Sequence, residues 1–227
     1  MSSRTRPSWR ADMSRVDYSL YLVTDRRWAG ERSLAEIVRA AVAGGVTCVQ
    51  LREKNLDTRE FIRVAEELLG VLKPARVPLI INDRVDVALA AGADGVHLGQ
   101  SDMPIAVARR LGPPDWVIGV SAESLADAVA AEQAGADYIG VSPVFATPTK
   151  TDTAPPLGLD GLRAIRAAVQ TSLVAIGGIH SGNAAEVITA GADGLAVVSA
   201  ILAADDPQAA AQELRNIITL TQGEKDE

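Results

Sequence analysis

A chain of 227 residues that is 48% hydrophobic and 22% charged, with 19 Gly, has the length and apolar content of one well-packed domain. Its net charge of −7 excludes the broad basic face that nucleic acid requires, and no run approaches the ~20 apolar residues of a membrane span. The single cysteine, Cys48, excludes an intrachain disulfide and suits a reducing, cytoplasmic setting.

In chain order, residues 1–16 carry arginines without an apolar stretch, so they read as a tail and not as a secretory signal. One domain is expected over residues 17–221, with 222–227 a second short tail. Eight strand candidates follow one another: YSLYLVTD, GVTCVQLRE, VPLIIND, GVHLG, WVIGVSA, YIGVSPV, SLVAIGG and GLAVVSA. Stretches with helical spacing separate them, among them SLAEIVRAAVA, TREFIRVAEELLGVL, VDVALAA and GLRAIRAAV. Near-copies of one phrase punctuate the series: AGADGVHLGQSD from Ala91, AGADYIGVSPV from Ala134 and AGADGLAVVSA from Ala190, with a degenerate copy, AGGVTCVQLREK, from Ala43. The glycine in each ends a helix in a positive-φ conformation before the next strand. Helix, glycine and strand recurring about every 20 to 35 residues is a βα repeat. Strands that are near-continuous apolar runs rich in Val and Ile need cover on their outer face. Eight such units predict an α/β protein with a single (β/α)8 barrel. The alternative, a doubly wound open sheet, suits fewer strands, and no GxGxxG follows the first one.

In such barrels the working groups gather at the C-terminal ends of the strands. Here those ends carry Asp25, then Gln50, Arg52, Glu53 and Lys54, then Asn82, Asp83 and Arg84, then Gln100, Ser101 and Asp102, with Ser121, Ser142, Gly177, Gly178 and Ser199 after them. Core packing does not require this accumulation. Asp83 and Asp102 follow adjacent strands, about 4.8 Å apart, and so can converge on one Mg2+. Read singly, either is a helix N-cap, and Asp86 belongs to a first helical turn. Arg52, Lys54 and Lys150 supply cations from the loops after strands two and six, a bidentate fork and two point charges for an anion. IGGI and VVSAI end strands seven and eight, where barrels frequently hold a phosphate on backbone N–H groups. The long Pro- and Thr-rich loop SPVFATPTKTDTAPP is a candidate lid bearing Thr147, Thr149 and Lys150. Of the two histidines, His97 reads as a hydrogen-bonded interior residue, and His180 stands beside the phosphate loop or at the surface.

Taken together, YLVTD, VQLREK, INDRVDVAL, GADGVHLGQSDMP, IGVSAES, YIGVSPVFATPTK, AIGGI and AVVSAI resemble the thiamine-phosphate synthase family, in order, from Tyr18 to Ile201. The resemblance implies coupling of a pyrimidinylmethyl diphosphate to a thiazole phosphate, plain or carboxylated, with release of diphosphate. It implies that Gln50, Leu51, Arg52, Glu53, Lys54, Asn82, Ser121 and Lys150 bind the pyrimidine diphosphate, with Arg52, Lys54, Ser121 and Lys150 catalytic. Glu53 is also read as a residue that orients Arg52 or Lys54. Asp83 and Asp102 match Mg2+ ligands, and Thr147, Pro148, Thr149, Gly178, Val198 and Ser199 match the thiazole phosphate site. The expected partners are these small molecules, with no nucleic acid and no membrane. Two alternatives stay open, a thiazole phosphate tautomerase of the same superfamily and a noncatalytic phosphate-binding barrel. Neither has a use for the complete QLREK, NDR and GQSD set.

Overall fold

All eight strand candidates form strands, each of four to six residues. The computed structural model describes residues 16–147 and 155–223. Strand β1 (Leu20–Val23) leads through α1 (Arg26–Ala29) and α2 (Leu34–Ala43) to β2 (Cys48–Leu51), α3 (Thr58–Ala75) and β3 (Leu79–Asn82). There follow α4 (Val85–Ala91), β4 (Gly95–Leu98), α5 (Ile105–Leu111), β5 (Val117–Ala122), α6 (Leu125–Gln133), β6 (Tyr138–Val141) and α7 (Gly158–Ala168). The series ends with β7 (Ser172–Ile176), α8 (Ala184–Thr189), β8 (Gly194–Val197), α9 (Ser199–Leu202) and α10 (Pro207–Gly223). Each strand pairs in parallel with its neighbour in sequence, and β1 also pairs with β8, so the sheet closes into a barrel and has no edge. Val16, expected in the tail, packs instead against the barrel's inner cluster. Among the described residues no helix is long and apolar enough to cross a membrane.

Side chains alternate along a strand, and that alternation separates two cores. Leu22, Val49, Leu79, Ile81, Leu98, Ile139 and Leu195 pack outward in the layer shared with the helices. Tyr21, Cys48, Ile80, Tyr138, Val174 and Ala196 form a separate inner cluster. The helices supply matching stripes. In α3, Phe61, Val64, Ala65, Leu68, Leu69 and Leu72 are buried at helical spacing. Asp57 caps that helix by accepting from the N–H of Glu60 at 2.9 Å. Inside the barrel, Gly119 makes space for a large ring, since a Cβ there would lie 2.0 Å from Tyr138 Cζ.

The repeated phrase acquires a second meaning at the N-terminal rim. Its glycines do take positive φ, as Gly45, Gly92, Gly135 and Gly191 show. Its aspartates also fasten the preceding strand. Asp94 accepts from the N–H of Leu79 at 2.9 Å, Asp137 from Ile118 at 2.7 Å and Asp193 from Leu173 at 2.8 Å. In the degenerate copy Thr47 Oγ1 does the same for Leu20 at 3.1 Å. Residues just before β2, β4, β6 and β8 therefore satisfy the N–H of the first or second residue of β1, β3, β5 and β7.

Candidate active site

Along β2 to β5 the inward positions change from apolar or small to polar toward the C-terminal end. Cys48 gives way to Gln50, Ile80 to Asn82, Gly95 to His97 and Gly119 to Ser121. Above this layer opens a cavity of about 600 Å³. Its lining includes Asp25, Gln50, Arg52, Lys54, Asn82, Asp83, Asp102 and Ser121 on one side, and Thr147, Gly178, Val198 and Ser199 on the other. Most strand-end residues picked from sequence thus share one cavity; Arg84 does not, its guanidinium being turned to Asp86 and Thr58. Pro148, Thr149 and Lys150 lie outside the described residues.

Two residues of the QLREK stretch do not line the cavity. Leu51 is fully buried in the helix-facing core, because alternation from Gln50 turns it outward. Glu53, read from sequence as orienting Arg52 or Lys54, is instead held by Arg26, with Nε to Oε1 at 2.6 Å. Burial pushes the Glu53 carboxyl above its ordinary range, and Arg26 only partly opposes this.

The charged wall is organised by pairs. Asp25 ends β1, where it caps α1 and accepts from Arg27 Nη2 at 2.7 Å and Arg52 Nη1 at 3.2 Å. Burial works to raise the Asp25 carboxyl, but hydrogen bonds and charge from Arg27 and Arg52 outweigh it and hold it low. Lys54 Nζ lies 2.5 Å from Asp83 Oδ2. Asp83 adopts φ 62°, a left-handed conformation that Asp tolerates better than most residues, and its N–H donates to the carbonyl of His97 at 2.8 Å. Neither Asp83 nor Asp102 is a helix N-cap, since Arg84 and Pro104 hold those positions. Asp102 Oδ2 instead accepts from the N–H of Gly99 at 2.7 Å. Burial raises the Asp102 carboxyl, and the adjoining Asp83 raises it further. Two carboxylates from adjacent strands therefore do converge. Asp86 pairs with Arg84 at 2.6 Å in the first turn of α4, the structural place expected for it.

The opposite wall is mostly backbone. Gly177 and Gly178 take φ of 109° and 64°, and a Cβ on Gly178 would lie 2.7 Å from the carbonyl oxygen of Ala146. The loop after β6 packs down on the pair, with the N–H of Phe145 donating to the Gly177 carbonyl at 3.0 Å. These glycines are thus required for packing as well as for the positive-φ turn that lines the cavity. Beside them, α9 begins at Ser199, with the N–H groups of Ile201 and Leu202 donating back to the Val198 carbonyl at 3.2 and 2.9 Å. His180 also lines the cavity, and its Nδ1 accepts from the N–H of Gly182 at 3.1 Å.

The floor carries groups that sequence reasoning left without a role. Gln50 Nε2 donates to the Tyr21 hydroxyl at 3.1 Å, and the hydroxyls of Tyr21 and Tyr138 are 2.7 Å apart. His97 bridges Tyr138 and Ser121, with Nδ1 and Nε2 each at 2.9 Å. The interior position expected for His97 is the one observed. Counting alternate positions from Gln50 through the strand register, which pairs Tyr21 with Cys48, would have turned Tyr21 inward as well.

Against this geometry the comparisons with known proteins are decisive. A profile of the family described as "Thiamine monophosphate synthase" matches residues 20–201. The chain belongs to the thiamine monophosphate synthase family. Within it, a protein of Albidiferax ferrireducens named thiamine-phosphate synthase is 63% identical over 199 residues, covering 88% of this chain and 91% of its own length. A thiamine-phosphate synthase of Chloroflexus aurantiacus is 56% identical over 207 residues, covering 91% of this chain and 95% of its own. A solved structure called thiamine phosphate pyrophosphorylase from Pyrococcus furiosus superposes with a TM-score of 0.83 at 44% identity, over 91% of this chain and 98% of that one.

Proposed function

We propose that the protein transfers the pyrimidinylmethyl group of an aminopyrimidine methyl diphosphate to the ring nitrogen of a thiazole phosphate, forming thiamine phosphate and diphosphate, with CO2 also released where the thiazole is carboxylated. The observation that carries this reading, beside family membership, is the division of one cavity into two unlike anion sites. One wall bears a carboxylate pair with Arg52 and Lys54, and the other bears the Gly177–Gly178 turn and the start of α9.

Asp83 and Asp102 fit a magnesium ion. They are hard oxygen donors on adjacent strands, and their mutual repulsion, visible in the raised Asp102 carboxyl, is relieved by a divalent cation. Magnesium typically takes one or two carboxylates and completes its shell with water and substrate phosphate oxygens. No group of three or more His, Cys, Asp or Glu side chains suited to a metal occurs among the described residues. When bound, Mg2+ would neutralise charge on the departing diphosphate.

The chain's own groups supply the rest. Arg52 spends one nitrogen on Asp25, and that contact aims the remaining fork at diphosphate oxygens. Lys54, and in our reading Lys150, add point charges. Gln50, Asn82 and Ser121 hold the pyrimidine. Its carbon–oxygen bond breaks with both electrons leaving on diphosphate, and the thiazole nitrogen lone pair forms the new carbon–nitrogen bond. With the plain thiazole no proton moves, so no general base is needed; with the carboxylated one the ring carbon that loses CO2 takes its proton from water. Catalysis then rests on fixed electrostatics, where losing one contact costs about 3 to 4 kcal/mol, roughly 10² to 10³ in rate. The thiazole phosphate is held by Thr147, Gly178, Val198 and Ser199, with Pro148 and Thr149 added by the family resemblance.

The test is a coupling assay with both substrates, in Mg2+ or in EDTA, with thiamine phosphate read as fluorescent thiochrome. Product with Mg2+ and none with EDTA is expected. Folded protein that leaves both substrates intact would overturn the proposal. Conversion of a thiazole tautomer without coupling would assign the tautomerase activity instead.

A further inference from the structure

The hydrogen bonds on the cavity floor form one chain: Gln50, Tyr21, Tyr138, His97, Ser121. Its two ends, Gln50 and Ser121, line the cavity from β2 and β5. All five reach the cavity lining, yet all but Ser121 are buried, with Tyr21 and Tyr138 each 1%, Gln50 5% and His97 8% exposed. A phenol has one proton to give, and a neutral imidazole has one donating and one accepting nitrogen. The direction of every bond in the chain is therefore set by its first member.

Gln50 Nε2 donates to Tyr21. Tyr21 then gives its own proton to Tyr138, and Tyr138 gives its proton to His97 Nδ1. With Nδ1 accepting, the imidazole proton sits on Nε2 and is donated to Ser121 Oγ. Ser121 is left with its hydroxyl proton free to point into the cavity, and Gln50 is left with its amide oxygen. Donation from Tyr21 to the thiol of Cys48 instead would exchange an O–H···O bond for a bond to a weak acceptor.

We infer that Tyr21, Tyr138 and His97 are positioning residues, a buried relay that makes Ser121 a donor and Gln50 an acceptor toward the pyrimidine. Resting on the reading that an aminopyrimidine fills this side of the cavity, the relay matches that ligand's edge, where an accepting ring nitrogen stands beside a donating exocyclic amine. The relay discriminates against an oxo-pyrimidine, which presents a ring N–H beside a carbonyl and reverses both polarities.

Three measurements test it. Nitrogen-15 NMR of the imidazoles, with the second histidine assigned through His180→Asn, reads the His97 tautomer without altering the floor. A proton on Nε2 is expected, and a proton on Nδ1 would overturn the relay whether or not the protein makes thiamine phosphate. Tyr138→Phe keeps the ring and removes one link. It should raise KM for the pyrimidine diphosphate about tenfold, leave KM for the thiazole phosphate in place and mix the His97 tautomers. In a Ser121→Ala background the same change should have little further effect on KM. Full additivity of the two changes, or equal effects on both substrates' KM, would mean that the floor is only structural. His97→Gln, which keeps a donor near Ser121, should retain more activity than His97→Ala, and the reverse order would also sink the relay. A protein inactive in coupling but with the Nε2 tautomer, whose imidazole signals shift on adding the aminopyrimidine diphosphate, would sink the coupling proposal and leave this one standing.

Discussion

The two rims of the barrel use the same residue type for opposite ends. At the N-terminal rim, Asp94, Asp137 and Asp193 are spent on strand N–H groups, contacts that no ligand could replace without undoing the sheet. At the C-terminal rim, Asp25 and Asp83 hold side-chain cations, and Asp102 stands against Asp83 while accepting one loop N–H. The Lys54–Asp83 pair, partly exposed, can exchange partners at little cost. What separates the rims is that each N-terminal aspartate secures a strand N–H, even where Asp137 and Asp193 also hold Arg109 and Arg166, whereas Asp25, Asp83 and Asp102 line the cavity.

That contrast is sharpest at Asp83. Asp83→Asn should lower kcat/KM by about 10² to 10³, because the metal site proposed here would lose a charge. Its urea midpoint should stay near wild type, since the Lys54 pair is 51% and 25% exposed and one of two repelling carboxylates is gone. A large loss of stability would put Asp83 with the aspartates of the other rim. Arg52→Lys should follow, losing about tenfold or more in kcat/KM, because a point charge cannot serve Asp25 and the diphosphate at once.

Asp94→Ala is the mirror experiment. It removes a buried, charge-assisted bond, for about 1.5 to 3 kcal/mol of stability, with kcat and both KM values unchanged. Asp193→Ala should cost less, because that side chain is 50% exposed and water can replace it. Thermal unfolding alongside the coupling assay separates the outcomes, and a rate loss without a stability loss in Asp94→Ala would erase the distinction between rims.

The inner core gives the smallest effect near neutral pH. Burial foremost raises the phenols of Tyr21 and Tyr138 well above the ordinary value; Tyr138 and Cys48 raise Tyr21 further, and Cys48 and Tyr18 raise Tyr138 while the Tyr21 hydrogen bond only partly opposes them. A raised folded-state pKa is stability that is fully present below the unfolded value, ~10 for a phenol, and lost as pH climbs past it. The urea midpoint should be flat to about pH 9 and fall above pH 10. Tyrosinate absorbance appearing near pH 10 with no such fall would mean that water reaches these rings in the folded barrel.

Strand count, order and inward-facing polar ends were legible because alternation and the AGAD glycines are local signals. Asp83 and Asp102 were legible as a pair because they follow adjacent strands. Leu51 and Glu53 carried no such signal within QLREK, and only the parity of β2 shows them facing away from Gln50 and Arg52. Glu53 meets Arg26 across 27 residues of sequence, which no spacing rule anticipates. The tyrosine floor was hidden for a related reason. An aromatic in an apolar strand reads as core, and its hydroxyl gains a role only once closure of the barrel sets Tyr21 against Tyr138, 117 residues away.

The fasteners of the N-terminal rim bear on how the chain assembles. Each joins residues only 15 to 27 positions apart, and the four of them tie the strands in consecutive pairs: β1 with β2, β3 with β4, β5 with β6, β7 with β8. A quarter of the barrel can then lock as soon as its second strand leaves the ribosome, before the next quarter exists. Parallel sheets fold slowly because their contacts are distant in sequence. Here seven of the eight seams join strands that are neighbours in sequence, and only β8 onto β1 is a long closure.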